Sequence, residues 1–139
     1  MGRLRSKVGN NSYVIFGPTA GRTFLGMHEH LHPIVKPMLK ENAAIIRETA
    51  HLYSEVKNRM QHYGYSTWDI TVEECLIRAL TIKLMKAMLP SLSTEDSIQR
   101  EHDWGFIFVK NFYDKLSTYE KSKKTFQEYL PSILRTLSS

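Results

Sequence analysis

Apolar residues recur every three or four positions through most of the 139-residue chain, and this spacing predicts helices. The first predicted helix covers residues 24–32, with Thr23 as its cap. It is predicted to end or kink just past His32, because Pro33 lacks an N–H and clashes with the carbonyl of Glu29. A second, long helix is predicted over residues 38–63, and Gly64 closes it.

Three further segments are predicted to be helical: residues 72–89, a helix that starts at Ser93 or Thr94 and extends to Leu116, and residues 122–137, interrupted at Pro131. Residues 12–16 are β-branched or aromatic and predict a short strand. We therefore expect a mainly α (α+β) single domain over residues 1–139. It has about five helices and one short N-terminal strand or hairpin, and residues 1–11 are flexible.

Composition narrows the class of protein. Hydrophobic residues make up 42% and charged residues 24% of the chain, as in ordinary globular proteins. The net charge of +5 is not arranged as an aromatic-studded basic stripe, so no nucleic-acid partner is expected. No apolar run reaches the 18 or so residues of a membrane span, and we expect a cytoplasmic protein. The single cysteine, Cys75, excludes an internal disulfide and a four-cysteine zinc site.

The segment His28-Glu29-His30-Leu31-His32 fits the pattern H-E-x-x-H. On a helix, His28 and His32 lie one above the other and can both bind one metal ion. Glu29 is rotated by about 100° from His28, so it lies beside such an ion, where a carboxylate can act as a general base. The pattern therefore predicts a zinc-dependent hydrolase with His28 and His32 as metal ligands.

A catalytic zinc ion usually takes a third protein ligand. The pair Glu73-Glu74 is the next suitable place, and from the spacing alone either residue could serve. Thr71 and Glu74 also fit a capping box, in which Glu74 would bond to the backbone at the helix start. Arg78, one turn later, could pair with Glu74.

Other interpretations stay open at this point. Glu29-x-x-His32 and Glu48-x-x-His51, with Glu74 and Glu101, resemble the ligand set of a di-iron bundle. A non-catalytic binding scaffold, with or without metal, is a rival of a different class. If the chain is a peptidase, four residues are candidate donors to the transition state: Tyr65, Tyr113, His62 and His102.

The chain also resembles an uncharacterised family of bacterial and archaeal gluzincin-like proteins, a domain of unknown function taken to be zinc metallopeptidases. The resemblance rests on the segments 13–18, 28–32, 33–37, Trp68, 74–79, 105–108 and 129–131.

This resemblance implies His28, His32 and Glu74 as zinc ligands and Glu29 as catalytic base, in a zincin-like domain that cleaves a peptide or protein substrate. Only 27 residues precede His28, which leaves room for one strand of a substrate-binding sheet. An unpaired edge of that strand would favour a homodimer.

Overall fold

A computed structural model describes residues 4–8, 11–15 and 20–138, with side chains from residue 25 onward. The fold is mainly α, as the spacing of apolar residues predicts. Strands β1 (Leu4–Val8) and β2 (Asn11–Ile15) form an antiparallel pair in which Leu4 faces Ile15. The predicted strand at 12–16 overlaps β2, and Phe16 lies outside the described residues. β1 lies within the segment 1–11, which was predicted to be flexible.

The helices of the described chain pack around one long central helix. They are α1 (Ala20–Glu41), α2 (Ala43–Glu48), α3 (Lys57–His62), α4 (Trp68–Met88), α5 (Thr94–Asp103), α6 (Val109–Glu120) and α7 (Phe126–Arg135), with 3₁₀ turns at Ala50–Glu55 and Thr136–Ser138. The central helix α4 contacts α1, α2, α5 and α6. None of these helices is long and apolar enough to cross a membrane.

Of the two outcomes predicted at Pro33, an end of the helix is wrong, because α1 continues through Pro33 and Pro37. It also begins at Ala20, so Thr23 is an interior residue. A proline inside a helix costs about 3 kcal/mol. Burial of Val35 and Leu39 offsets this cost, since each fully buried aliphatic side chain contributes about 1.5–3 kcal/mol. As a result, one helix carries both histidines and the residues that follow them.

The predicted helix over residues 38–63 is instead two short helices separated by a 3₁₀ turn, and that prediction is also wrong. The Trp68 indole N–H lies 3.1 Å from the carbonyl oxygen of Ile46. The hydroxyl of Thr49 donates to the same carbonyl at 2.9 Å. These two bonds occupy an acceptor that a continuous helix would use at Ala50, so the chain turns at this point.

Helix α4 begins four residues before the predicted start. Thr67 is its N-cap, accepting from the backbone N–H of Ile70 at 3.4 Å. Thr71 is an interior residue whose hydroxyl donates to the Thr67 carbonyl. The capping box of Thr71 and Glu74 therefore does not form, and the Glu74 side chain is available for contacts with other helices.

The predicted helix from Ser93 or Thr94 to Leu116 is divided into α5 and α6, whereas α7 runs through Pro131 without the predicted interruption. Ser93 is the cap of α5, accepting from the Asp96 N–H at 3.2 Å. The break between α5 and α6 lies at Gly105, which has φ +106°. Only glycine adopts this conformation readily.

We predict that Gly105→Ala destabilises the protein more than Gly64→Ala, by about 1 kcal/mol or more. Both glycines have positive φ, so both substitutions strain the backbone by about 1–2 kcal/mol. A Cβ at Gly105 would also lie 3.1 Å from the Cβ of Arg59, whereas a Cβ at Gly64 would meet nothing within 4 Å. Urea unfolding of both variants measures the difference, and equal losses would contradict the prediction.

Candidate metal site

His28 and His32 project from α1 toward Glu74 on α4. The Nε2 atom of His28 lies 2.7 Å from Oε1 of Glu74, and the Nε2 atom of His32 lies 3.2 Å from Oε2. The Glu74 side chain is 3% exposed, that of His28 is 12% exposed and that of His32 is 31% exposed. The carboxylate is thus buried between two imidazoles that reach the surface.

These three side chains fit a zinc ion. Their ligand atoms all lie within 4.8 Å of one another, and among the described side chains this is the one such group of three or more residues. A tetrahedral zinc ion with bonds of about 2.0–2.2 Å separates its ligand atoms by about 3.3–3.6 Å. The 2.7 and 3.2 Å distances therefore need only small side-chain movements. Two imidazoles and one carboxylate leave a fourth position for water.

The structure separates the roles of the two adjacent glutamates. Glu74 faces the Nε2 atoms of both histidines, whereas Glu73 lies behind His32, with Oε2 2.6 Å from Nδ1. A metal-bound histidine usually gives its second N–H to a carboxylate, which fixes the ring and its tautomer. Glu74 is therefore the candidate ligand and Glu73 the residue that orients His32. The sequence pair alone could not distinguish them.

We predict that Glu73→Gln weakens zinc binding by about 10–100-fold without removing the site, because it weakens the acceptor that orients His32. Competition titration with a coloured chelator measures the change. Glu95→Gln, an exposed glutamate in the first turn of α5, is the matched control and should leave the affinity unchanged. A Glu73→Gln protein with wild-type affinity would show that Glu73 does not position the ligand.

The charge state of Glu74 suits a metal ligand. Burial alone would raise the pKa of this carboxyl group. The hydrogen bond and charge of His28, with the charges of Arg78 and His32, outweigh burial and lower the pKa below 4.5. Tyr65 donates its hydroxyl to Glu74 Oε1 at 3.1 Å, and burial beside that carboxylate raises the pKa of Tyr65 above 10.0. Glu74 is thus ionised and Tyr65 is protonated at neutral pH.

A half-buried arginine, Arg78, also approaches Glu74. Nε of Arg78 lies 3.5 Å from Glu74 Oε1, an ion-pair contact, and makes no hydrogen bond within the described residues. One of its terminal nitrogens donates to Glu101 at 2.8 Å, and its guanidinium lies 3.8 Å from the ring centre of Phe106. Burial lowers the pKa of Arg78, but the charges of Glu101 and Glu74 raise it overall. The cation is therefore permanent.

The other residues singled out in the sequence lie in different settings. Glu29 is exposed on α1, and His30 is half-buried beside it. Of the four candidate donors, Tyr65 contacts the site, and Tyr113 instead lies near Thr94 with Lys83 over its ring. The remaining two donor candidates, His62 and His102, are exposed. Glu48 and His51, two members of the proposed di-iron set, are also exposed.

Two more residues, Glu101 and Cys75, lie next to the site. Glu101, a possible iron ligand in the di-iron interpretation, is instead the partner of Arg78. Cys75 is fully buried, and burial raises the pKa of its thiol to about 12. Cys75 is not among the ligand atoms that His28, His32 and Glu74 bring together.

Comparison with known proteins gives one family. The model of a domain of unknown function, DUF4932, matches residues 11–136. No curated protein and no solved structure matches the chain.

The match corrects the resemblance to gluzincin-like metallopeptidases, because no gluzincin or peptidase family is found. The residues behind that resemblance are short segments, and five residues of H-E-x-x-H pattern are too few to define a family. The matched region spans nearly the whole chain, so the chain belongs to the family of the domain of unknown function DUF4932.

Proposed function

We propose that this protein is a zinc-dependent hydrolase that cleaves peptide bonds. His28, His32 and Glu74 would hold the ion, and Glu29 would act as general base. The observation that carries the proposal is the approach of two imidazoles and one ionised carboxylate from two packed helices. Exposure of 31% at the His32 side chain supports access of water and substrate to this group.

When bound, the zinc ion would lower the pKa of a water molecule toward about 7 and polarise a substrate carbonyl. Glu29 follows His28 directly on α1 and is exposed, so its carboxylate would lie beside the ligand row and accept a proton there. His28 and His32 each present Nε2 toward Glu74, while Glu73 holds the other nitrogen of His32. Glu73 and Glu74 on α4 would thus orient both ligands before substrate binds.

Tyr65 and Arg78 support the carboxylate rather than the substrate. The Tyr65 hydroxyl donates to Glu74, and Arg78 is held in place by Glu101. Both contacts favour the ionised form of the Glu74 carboxylate and fix its orientation. If Tyr65 were released from Glu74, it would be the one of the four candidate donors placed to reach a substrate oxyanion.

Metal analysis and peptide turnover, measured on the same protein, test the proposal. We expect about one zinc per chain in protein purified without added metal, and cleavage of a mixed library of quenched fluorescent peptides. A chelator should stop the cleavage, and added zinc should restore it. Protein that binds no zinc even after addition would refute the metal site. A zinc protein without turnover on any peptide would refute the catalytic role and leave a metal-bound scaffold.

A further inference from the structure

Four residues on α1 form a row that leads away from the candidate metal site. His28, His32, Lys36 and Lys40 are spaced four residues apart, so each lies next to the following one in a row that turns by about 40° per step. Each step of four residues advances about 6 Å along the axis. Lys36 approaches Glu73, with Nζ 3.9 Å from Oε1. The row therefore leads from two metal-ligand candidates to two lysines on the same helix.

A cavity of about 460 Å³ opens beside this row. Its apolar wall includes three buried side chains, Leu39, Ile46 and Trp68. Glu73 also lines it and contacts Nδ1 of His32, whereas His28, His32 and Glu74 themselves do not line it, so the cavity adjoins the candidate metal site through Glu73. A volume of this size is typical of small-ligand sites, which combine apolar walls with a few polar groups.

The polar rim of the cavity carries more positive than negative charge. Lys36, Lys40 and Arg47 lie on it, against Asp69 and Glu73. Glu73 is already engaged by His32 and Lys36. The side chains of Lys40 and Arg47 make no ion pair or hydrogen bond with any described residue, and both are exposed. They are therefore available to a ligand anion.

We propose that this cavity is the substrate-specificity subsite of the hydrolase. It takes an apolar side chain of a peptide that has a carboxylate next to it, and the carboxylate pairs with Lys40 and Arg47. This inference rests on the proposed function, because the cavity becomes a subsite only if the neighbouring histidines hold a catalytic metal. The carboxylate is either the C-terminus of the peptide or the side chain of an adjacent acidic residue.

Ligand binding to metal-free protein tests the subsite separately from the metal. Trp68 lies in the cavity wall and Trp104 is 45% exposed, so Trp104→Phe leaves Trp68 as the reporter. In the presence of a chelator, N-acetyl-leucine is titrated beside N-acetyl-leucinamide, and Trp68 fluorescence is recorded. We expect the acid to bind about fivefold more tightly at low ionic strength, since exposed ion pairs have modest strength. The preference should shrink as salt is added.

A second pair of probes identifies the source of the carboxylate. N-acetyl-leucyl-glutamate amide and N-acetyl-leucyl-glutamine amide differ in one side-chain charge and have no free C-terminus. Preference within the first pair of probes assigns the C-terminal carboxylate, and preference within the second pair assigns an acidic side chain. Equal binding within both pairs would overturn the proposal.

Variants show whether Lys40 and Arg47 cause the preference for the charged probe. Lys40→Gln combined with Arg47→Gln should abolish the preference for the charged probe while keeping the melting temperature. The matched control is Lys121→Gln combined with Lys123→Gln, which removes the same charge from exposed positions outside the cavity. A preference that survives the first double substitution would overturn the assignment. Zinc binding is scored separately, so loss of the metal site and loss of the subsite are distinguishable.

Discussion

Glu74→Gln is expected to abolish zinc binding at the concentrations where the wild-type chain holds about one ion. Glutamine keeps the shape and can still accept from Tyr65, but it removes the ionised oxygens that face both histidines. We expect an affinity loss of more than about 100-fold, beyond the range for residues that only orient a ligand. Elemental analysis after dialysis, followed by chelator competition, measures the change.

The same comparison has a thermal readout. With free zinc about 1,000-fold above its Kd, wild-type stability should rise by about 4 kcal/mol. For a domain of this size, that is a rise in Tm of about 15 °C. By the same relation, Glu74→Gln should show less than about one third of this rise, and Glu73→Gln about one third to two thirds of it. If Glu74→Gln bound one zinc with wild-type affinity, Glu74 would not be the third ligand.

Glu29→Gln is expected to keep zinc and lose turnover. The substitution leaves His28, His32 and Glu74 unchanged, so metal content and the thermal shift should match those of the wild type. Peptide cleavage should fall by about 10²–10⁴-fold, the usual contribution of a general base. The rate is measured at saturating zinc, so that a small change in zinc affinity does not affect the measured rate.

Glu48→Gln is the matched control for Glu29→Gln. Glu48 is also an exposed helical glutamate three residues before a histidine, and it belonged to the di-iron alternative. It should change neither zinc content nor rate. An active Glu29→Gln enzyme would remove Glu29 from its proposed role. Loss of metal in Glu48→Gln would instead favour the two-metal interpretation.

Sequence alone determined the helical class and the candidate chemistry. The three-to-four spacing of apolar residues is a local property, and it predicted a mainly α domain. The four-residue spacing of His28 and His32 placed them on one helical face for the same reason. The ranges of the helices were less predictable. Proline 33 ends an isolated helix, but burial of Val35 and Leu39 against α4 keeps α1 continuous.

Only the tertiary structure decided which contacts form between residues that are distant in the sequence. The Trp68 indole donates to the carbonyl of Ile46, 22 residues earlier in the chain. This bond interrupts a helix that the regular spacing of apolar residues had predicted to be continuous. Glu73 and Glu74 are neighbours in sequence, yet they contact different atoms of His32: Glu73 contacts Nδ1 and Glu74 contacts Nε2. The cavity between α1, α2 and α4 likewise depends on packing. The spacing of residues along the chain determines on which side of a helix each side chain lies. Contacts between helices depend instead on how separate segments pack.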